Sequence, residues 1–121
     1  LADELLRSAN FTDKLDKLDA AVIPLLYGID QADYKTAPVY AGTAATAEEI
    51  AIFEAVDAAA AERLLQAGSE RVDKQLEVYQ SYGPAAAMSL QNAVKEKSGN
   101  FVIVVICSDS AAAKKIVDQY L

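Results

Sequence analysis

The run Val102-Ile103-Val104-Val105-Ile106 constrains this chain more than any other stretch. Successive β-branched residues crowd χ1 in a helix and suit a pleated surface. No polar residue alternates with them, so the strand has to be covered on both faces and belongs near the centre of a sheet. Cys107 and Ser108 follow, then Asp109, whose carboxylate can accept from the orphan amides that open a helix. The spacing predicts that helix over Ser110–Tyr120, with Ala113, Ile116, Val117 and Tyr120 on its inner face.

The same arrangement occurs 52 residues earlier. Ile50–Ala55, Asp57, Ala59–Ala61, Glu62-Arg63 and Leu64-Leu65 fall on Val102–Cys107, Asp109, Ala111–Ala113, Lys114-Lys115 and Ile116-Val117. Each unit is a strand, an Asp cap, an alanine first turn, two charged residues and two aliphatics. Small alanines let the helix start close against the sheet. Alanine richness inflates such matches, so a repeated solution and a duplication both fit.

From Asp57 to Tyr82 there is no Pro, and Gly68 is the sole Gly. Ala61, Leu64, Leu65, Gly68, Val72, Leu76 and Tyr79 step by three or four, which predicts an amphipathic helix of about 24 residues. Glu62, Arg63, Glu70, Arg71, Asp73, Lys74 and Glu77 form its solvent face, with Glu70–Lys74 an i,i+4 pair of favourable order. Gly83-Pro84 ends it and opens a shorter helix over Ala85–Asn92. Ala93–Lys97 and Asn100–Cys107, flanking Ser98-Gly99, read as a hairpin. Pro38–Thr43 and Glu49–Val56 read as strands around an Ala44–Ala47 loop, the second buried on both sides in its middle.

Residues 1–37 carry weaker signals. Ala2–Ala9 fits a short helix, and Asp19 is positioned to cap a second over Ala20–Tyr27 that Gly28 would stop. Val22, Ile23, Leu25 and Leu26 suggest that this segment docks on the domain. The expected organisation is therefore an N-terminal helical segment, 1–37, and an α+β domain, 38–121. The fold class is α+β: about four mostly antiparallel strands, two strand–helix repeats, and the long and C-terminal helices packed on one face. A ferredoxin-like order is one version.

Composition excludes several functions. The net charge is −7, and no basic cluster exceeds Lys114-Lys115, so nucleic acid is not an expected partner. Histidine is absent, which removes Ser-His-Asp triads, Cys-His pairs and histidine-ligated zinc. With one cysteine there is no internal disulfide. The first residue is Leu1 rather than Met, so any targeting segment is expected upstream.

Few residues qualify as site candidates. Asp13, Asp16 and Asp19 repeat every third residue, but without an EF-hand-type loop, and with Lys14 and Lys17 between them, they read as a solvated face plus a helix cap. Glu48, Glu49 and Glu54 could supply a carboxylate pair for glycoside chemistry; edge charges that deter strand pairing are the simpler account. Cys107 precedes a helix start, which could activate a thiol, yet it reads as a small buried hydrophobe. Among six tyrosines, Tyr79 and Tyr120 fit helical stripes and the core. Tyr34, in a loop, and Tyr82, beside Gly83-Pro84, are the candidates for ligand or partner binding.

Thr46–Asp57, Leu26-Tyr27-Gly28-Ile29, the Tyr79…Tyr82…Pro84 stretch, Gly99–Val102 and Cys107-Ser108-Asp109 occur in an order and spacing with a wider likeness. Together they resemble a family of short lipoproteins from clostridial-type Gram-positive bacteria, catalogued as a domain of unknown function. The resemblance covers about residues 2–121. It implies a lipid-modified cysteine upstream and a position outside the cytoplasmic membrane, tethered by the N-terminus. The family has no established activity, so it assigns no catalytic or binding residue.

The leading expectation is an extracytoplasmic, lipid-anchored, non-enzymatic binding module without cofactor or metal. Its partner would be an envelope protein or a small molecule, and it would touch the membrane only through the anchor. The alternative is a cytosolic ferredoxin-like regulatory or sensor domain that dimerises through its sheet. An enzyme using the carboxylates or Cys107 is the third reading.

Overall fold

The computed structural model describes residues 1–43, 45–81 and 83–120. The chain forms helix α1 (Ala2–Ser8), strand β1 (Asp16–Lys17), a 3-10 turn (Ala20–Val22), α2 (Ile23–Tyr27), a second 3-10 turn (Gln31–Asp33), β2 (Tyr34–Thr36), β3 (Val39–Ala41) and β4 (Glu49–Ala55). Then come α3 (Ala58–Tyr79), α4 (Pro84–Gln91), β5 (Val94–Ser98), β6 (Phe101–Ile106) and α5 (Ser110–Tyr120).

This is the expected α+β class, with six strands in one antiparallel sheet rather than four. Its order is β1-β3-β4-β6-β5, with β2 also on β4. β2 and β3 lie end to end along β4: Tyr34 is opposite Ala55, and Val39 is opposite Ala51. Between them sits Pro38, which has no N–H to donate to a ladder. The two extra strands have two and three residues, too short to show alternation. Both lie within residues 1–37, so the segment expected to be helical also extends the sheet.

β4 and β6 form the centre. Both Asp caps act as the repeat implies: Asp57 accepts from the amide of Ala60 at 2.8 Å, and Asp109 accepts from that of Ala112 at 3.1 Å. Ala60, Ala61 and Ala113 are fully buried, so each helix approaches the sheet through its alanine turn. The hairpin turns at Gly99-Asn100, one residue later than expected, with Gly99 at φ +58°. Glycine reaches that left-handed region at little cost.

The two long elements do not share a face. Ala51, Phe53, Val102, Val104 and Ile106 pack with Leu64, Val72 and Tyr79 of α3 and with Leu90 of α4. Ile50, Ile103, Val105 and Cys107 pack with Ile116 and Val117 of α5 and with Leu5 of α1. The expectation of one common face is corrected by the register. Phe53 faces its own unit's helix, and so does its counterpart Val105. The ladder, however, pairs Phe53 with Val102 and Ile50 with Val105. Since successive residues alternate faces, this pairing sends the two helices to opposite sides. The result is three layers, with helices covering both sheet faces, which departs from a ferredoxin-like arrangement.

Candidate functional site

The most notable polar group lies between α2, β4 and α3. Glu49 sits at the start of a central strand and is 3% exposed. Arg71 donates to it through Nε to Oε2 at 2.9 Å and Nη2 to Oε1 at 2.7 Å. The Tyr27 hydroxyl donates to Oε2 of the same carboxylate. The guanidinium carbon of Arg71 lies 5.2 Å from the Tyr27 ring centroid, in cation–π range. Tyr27 also meets Phe53 edge-on, with centroids 5.2 Å apart. Burial, with the Glu49 charge next, pushes the Tyr27 hydroxyl well above the ordinary tyrosine range and keeps it a donor.

Every partner of Glu49 is thus a donor aimed at its carboxylate oxygens. The triad fixes three elements relative to one another and leaves the carboxylate fully engaged. Glu48 is equally committed. It is 2% exposed and accepts from the amides of Thr12 and Asp13 and from the Thr12 hydroxyl, at 3.1, 2.7 and 3.1 Å. The reading of Glu48 and Glu49 as edge charges is corrected: β4 has neighbours on both sides, and both residues tie the N-terminal segment to it.

What the triad positions is α2. Asp19 caps the turn before it, accepting from Ala21 N at 2.9 Å. Pro24 occupies the first turn, and Gly28 closes the helix at φ +64°. Ile23 and Tyr27, four residues apart, point into the core. Val22, Leu25 and Leu26 are therefore turned away from it, with exposures of 42%, 86% and 37%. Of the four aliphatics taken as a sign that the segment docks, Ile23 is the one that is buried.

Val22, Leu25 and Leu26 form an outward ridge, and at Gly28 and Glu70 its leucines adjoin a groove of about 490 Å³ that carries Asp30, Asp33, Glu62 and Glu70 together with Arg63. Arg63 is engaged with Asp33 at 2.8 and 3.0 Å, and Glu62 with Lys97. Asp30 and Glu70 have no ion-pair partner among the described residues. The expected Glu70–Lys74 pair is not formed; Glu70 accepts from the Gln66 amide at 3.2 Å instead.

The remaining candidates fall as follows. Tyr34 lies on β2 rather than in a loop, half-buried, its ring 6.2 Å from that of Phe53. Burial, then the Asp30 charge, raises its hydroxyl above the ordinary range. Tyr82 lies outside the described residues. Tyr79 is buried as expected, whereas Tyr120 is 54% exposed, at the end of the last helix. Cys107 is a buried hydrophobe whose thiol burial pushes up to about 11, the reverse of an activated nucleophile. Asp13 accepts from Thr43 and Thr46 hydroxyls at 2.6 and 3.0 Å, and so fastens the β3–β4 loop. No group of three or more potential metal ligands occurs among the described residues.

Comparison with known families gives one match. Residues 7–107 fit a family described as Domain of unknown function (DUF4358). The chain belongs to this DUF4358 family. No curated protein and no solved structure matches it. The matched span of this DUF4358 domain includes Tyr27, Glu49 and Arg71, the exposed ridge, and both central strands.

The ridge had a partial signal in sequence. Ile23 and Tyr27 are four apart, and Val22, Leu25 and Leu26 form the complementary set. With aliphatics on both sets, periodicity alone could not say which face was inward. The triad has no such signal in the charge pattern of α3, which places Arg71 on the solvent face. Its position three residues after Gly68 and four after Ala67, both buried, is the signal that places it at the edge of the packed stripe.

Proposed function

We propose that this DUF4358 domain is a non-enzymatic binding module that acts outside the cytoplasmic membrane, held there by an N-terminal lipid anchor. The observation that carries the binding reading is the outward ridge of Val22, Leu25 and Leu26. Scattered exposed aliphatics are ordinary, but three adjacent ones on a rigidly seated helix and the turn that leads into it form the kind of patch that a partner covers. The seat is costly to build. A buried carboxylate, a guanidinium and a phenol are assembled to hold α2, and among the described residues nothing covers Leu25 on its outer face.

Support for the location comes from the resemblance to short lipoproteins; the family description itself carries none. Two measurements test the two halves. Intact mass and cell fraction of the native full-length protein should give a diacylglycerol-modified species in the membrane fraction. An unmodified cytosolic species would overturn the location. For the binding half, a photo-crosslinking residue at Leu25 should capture one discrete protein in cells, while the same residue at exposed Gln119 should not. Equal, diffuse labelling from both positions would overturn it.

A further inference from the structure

Leu25 and Leu26 of the ridge and the groove beside them are one continuous surface. The groove carrying Asp30 and Glu70 and a smaller one of about 250 Å³ carrying Leu25 and Leu26 share Gly28 and Glu70 as walls. We infer that this surface docks a basic amphipathic segment of a protein partner, whose aliphatic side chains cover Val22, Leu25 and Leu26 and whose lysine or arginine enters the groove between Asp30 and Glu70. This rests on the binding reading above and adds the chemistry of the occupant.

Charge complementarity selects that occupant. Of the four carboxylates in the groove, Asp33 and Glu62 are paired with Arg63 and Lys97, whereas Asp30 and Glu70 form no ion pair among the described residues, Asp30 feeling the Arg63 charge only at longer range. A cation placed there would satisfy them without breaking an existing pair. Arg71 and Lys74 line the Leu25–Leu26 end of the surface beside Glu70, and neither lines the groove that carries Asp30. They repel a second cation and so give the segment a direction. The whole chain, at −7, steers a cationic partner inward and a second acidic copy outward. The net charge of −7 likewise disfavours anionic lipid headgroups as the occupant.

Two synthetic peptides test this with the full chain. One is a helix-forming peptide with Leu at i, i+3 and i+4 and a flanking Lys pair; the other has Glu in place of Lys. Amide chemical shifts and fluorescence anisotropy should show the Lys peptide perturbing residues 20–30 and 62–70. It should bind at least tenfold more tightly than the Glu peptide at low salt, with the gap narrowing as salt rises. Leu25→Ser should weaken both peptides, whereas Glu70→Gln should weaken only the Lys peptide. Equal binding of both peptides at the ridge would overturn the charge preference and leave the binding reading standing. Perturbation elsewhere, or none, would overturn both. Leu25-dependent capture by phosphatidylcholine vesicles without peptide binding would replace the protein segment by a lipid surface.

Discussion

Arg71 engages both oxygens of Glu49, at 2.9 and 2.7 Å, across the boundary between α3 and the central strand β4. Their side chains are 14% and 4% exposed, so the pair lies largely out of water. Removing one member of such a pair leaves an uncompensated charge, which costs about 3–5 kcal/mol. Arg71→Met should therefore destabilise strongly in urea unfolding, even though Met fills similar space. The Glu49→Gln, Arg71→Met double variant should recover a good part of that loss. A double variant that is worse by the full cost of both singles would show that the two residues act independently.

Tyr27 donates to the Oε2 of Glu49 that Arg71 Nε also reaches, so α2 should respond to the loss of this pair. In Arg71→Met, hydrogen exchange should accelerate first at residues 20–27, before the β4–β6 ladder loosens. Uniform acceleration across the sheet would mean that the triad stabilises the fold without seating α2 in particular.

The three-layer packing has a more local test at Gly68. A Cβ placed there would lie 2.8 Å from Cγ2 of Val104. Val104 is buried in the central strand and cannot swing aside. Gly68→Ala should therefore destabilise, by about 1–3 kcal/mol, despite the better helix propensity of alanine. Val104→Ala alone also destabilises by opening a cavity. Combined, the two should cost clearly less than their separate effects added together, because the new methyl fills the space that Val104 vacates. Strict additivity in a double-mutant cycle would contradict the contact.

Much of this architecture was readable because the repeated unit is locally encoded. A strand covered on both faces, an Asp cap and an alanine turn each act within a dozen residues, and both copies formed as read. The placement of the helices was not readable in the same way. It depends on whether Phe53 pairs with a residue of its own facing set or of the opposite set, and each unit is satisfied either way. β1 and β2 exist only because β3 and β4 offer them partners. The Tyr27–Glu49–Arg71 triad joins residues 22 apart in each step, and an isolated charged residue in a helix looks the same in sequence whether it meets water or a buried carboxylate.

Cys107 makes the fold sensitive to alkaline pH with a definite sign. Its ordinary value of 9.0 is raised to about 11, first by burial. The unfolded chain therefore loses this proton before the folded one does. The stability linked to the neutral thiol is fully present below pH 9 and is lost as pH rises from 9 towards 11. Denaturation midpoints should fall across that window, and Cys107→Ala should flatten the fall while lowering stability at pH 7. Thiol alkylation at pH 8 should proceed only through opening of the fold. Rapid labelling of the native protein would overturn the burial that both statements require.

Two left-handed residues separate backbone strain from packing. Ala47 has φ +57° and is buried in the β3–β4 loop; Gly28 has φ +64° and nothing within 4 Å of where a Cβ would stand. An L-residue with a side chain is disfavoured in this region by about 1–2 kcal/mol. Gly28→Ala should cost about that much with no clash to relieve, loosening the stop of α2. Ala47→Gly should regain part of the same strain, offset by the greater freedom of glycine in the unfolded chain and by the small buried methyl it removes. The expected ranking in thermal unfolding is Ala47→Gly at or slightly above the parent, and Gly28→Ala well below it. If the order is reversed, Ala47 is held by its packing rather than strained by its backbone, and the β3–β4 loop beside Glu48 owes its shape to that methyl.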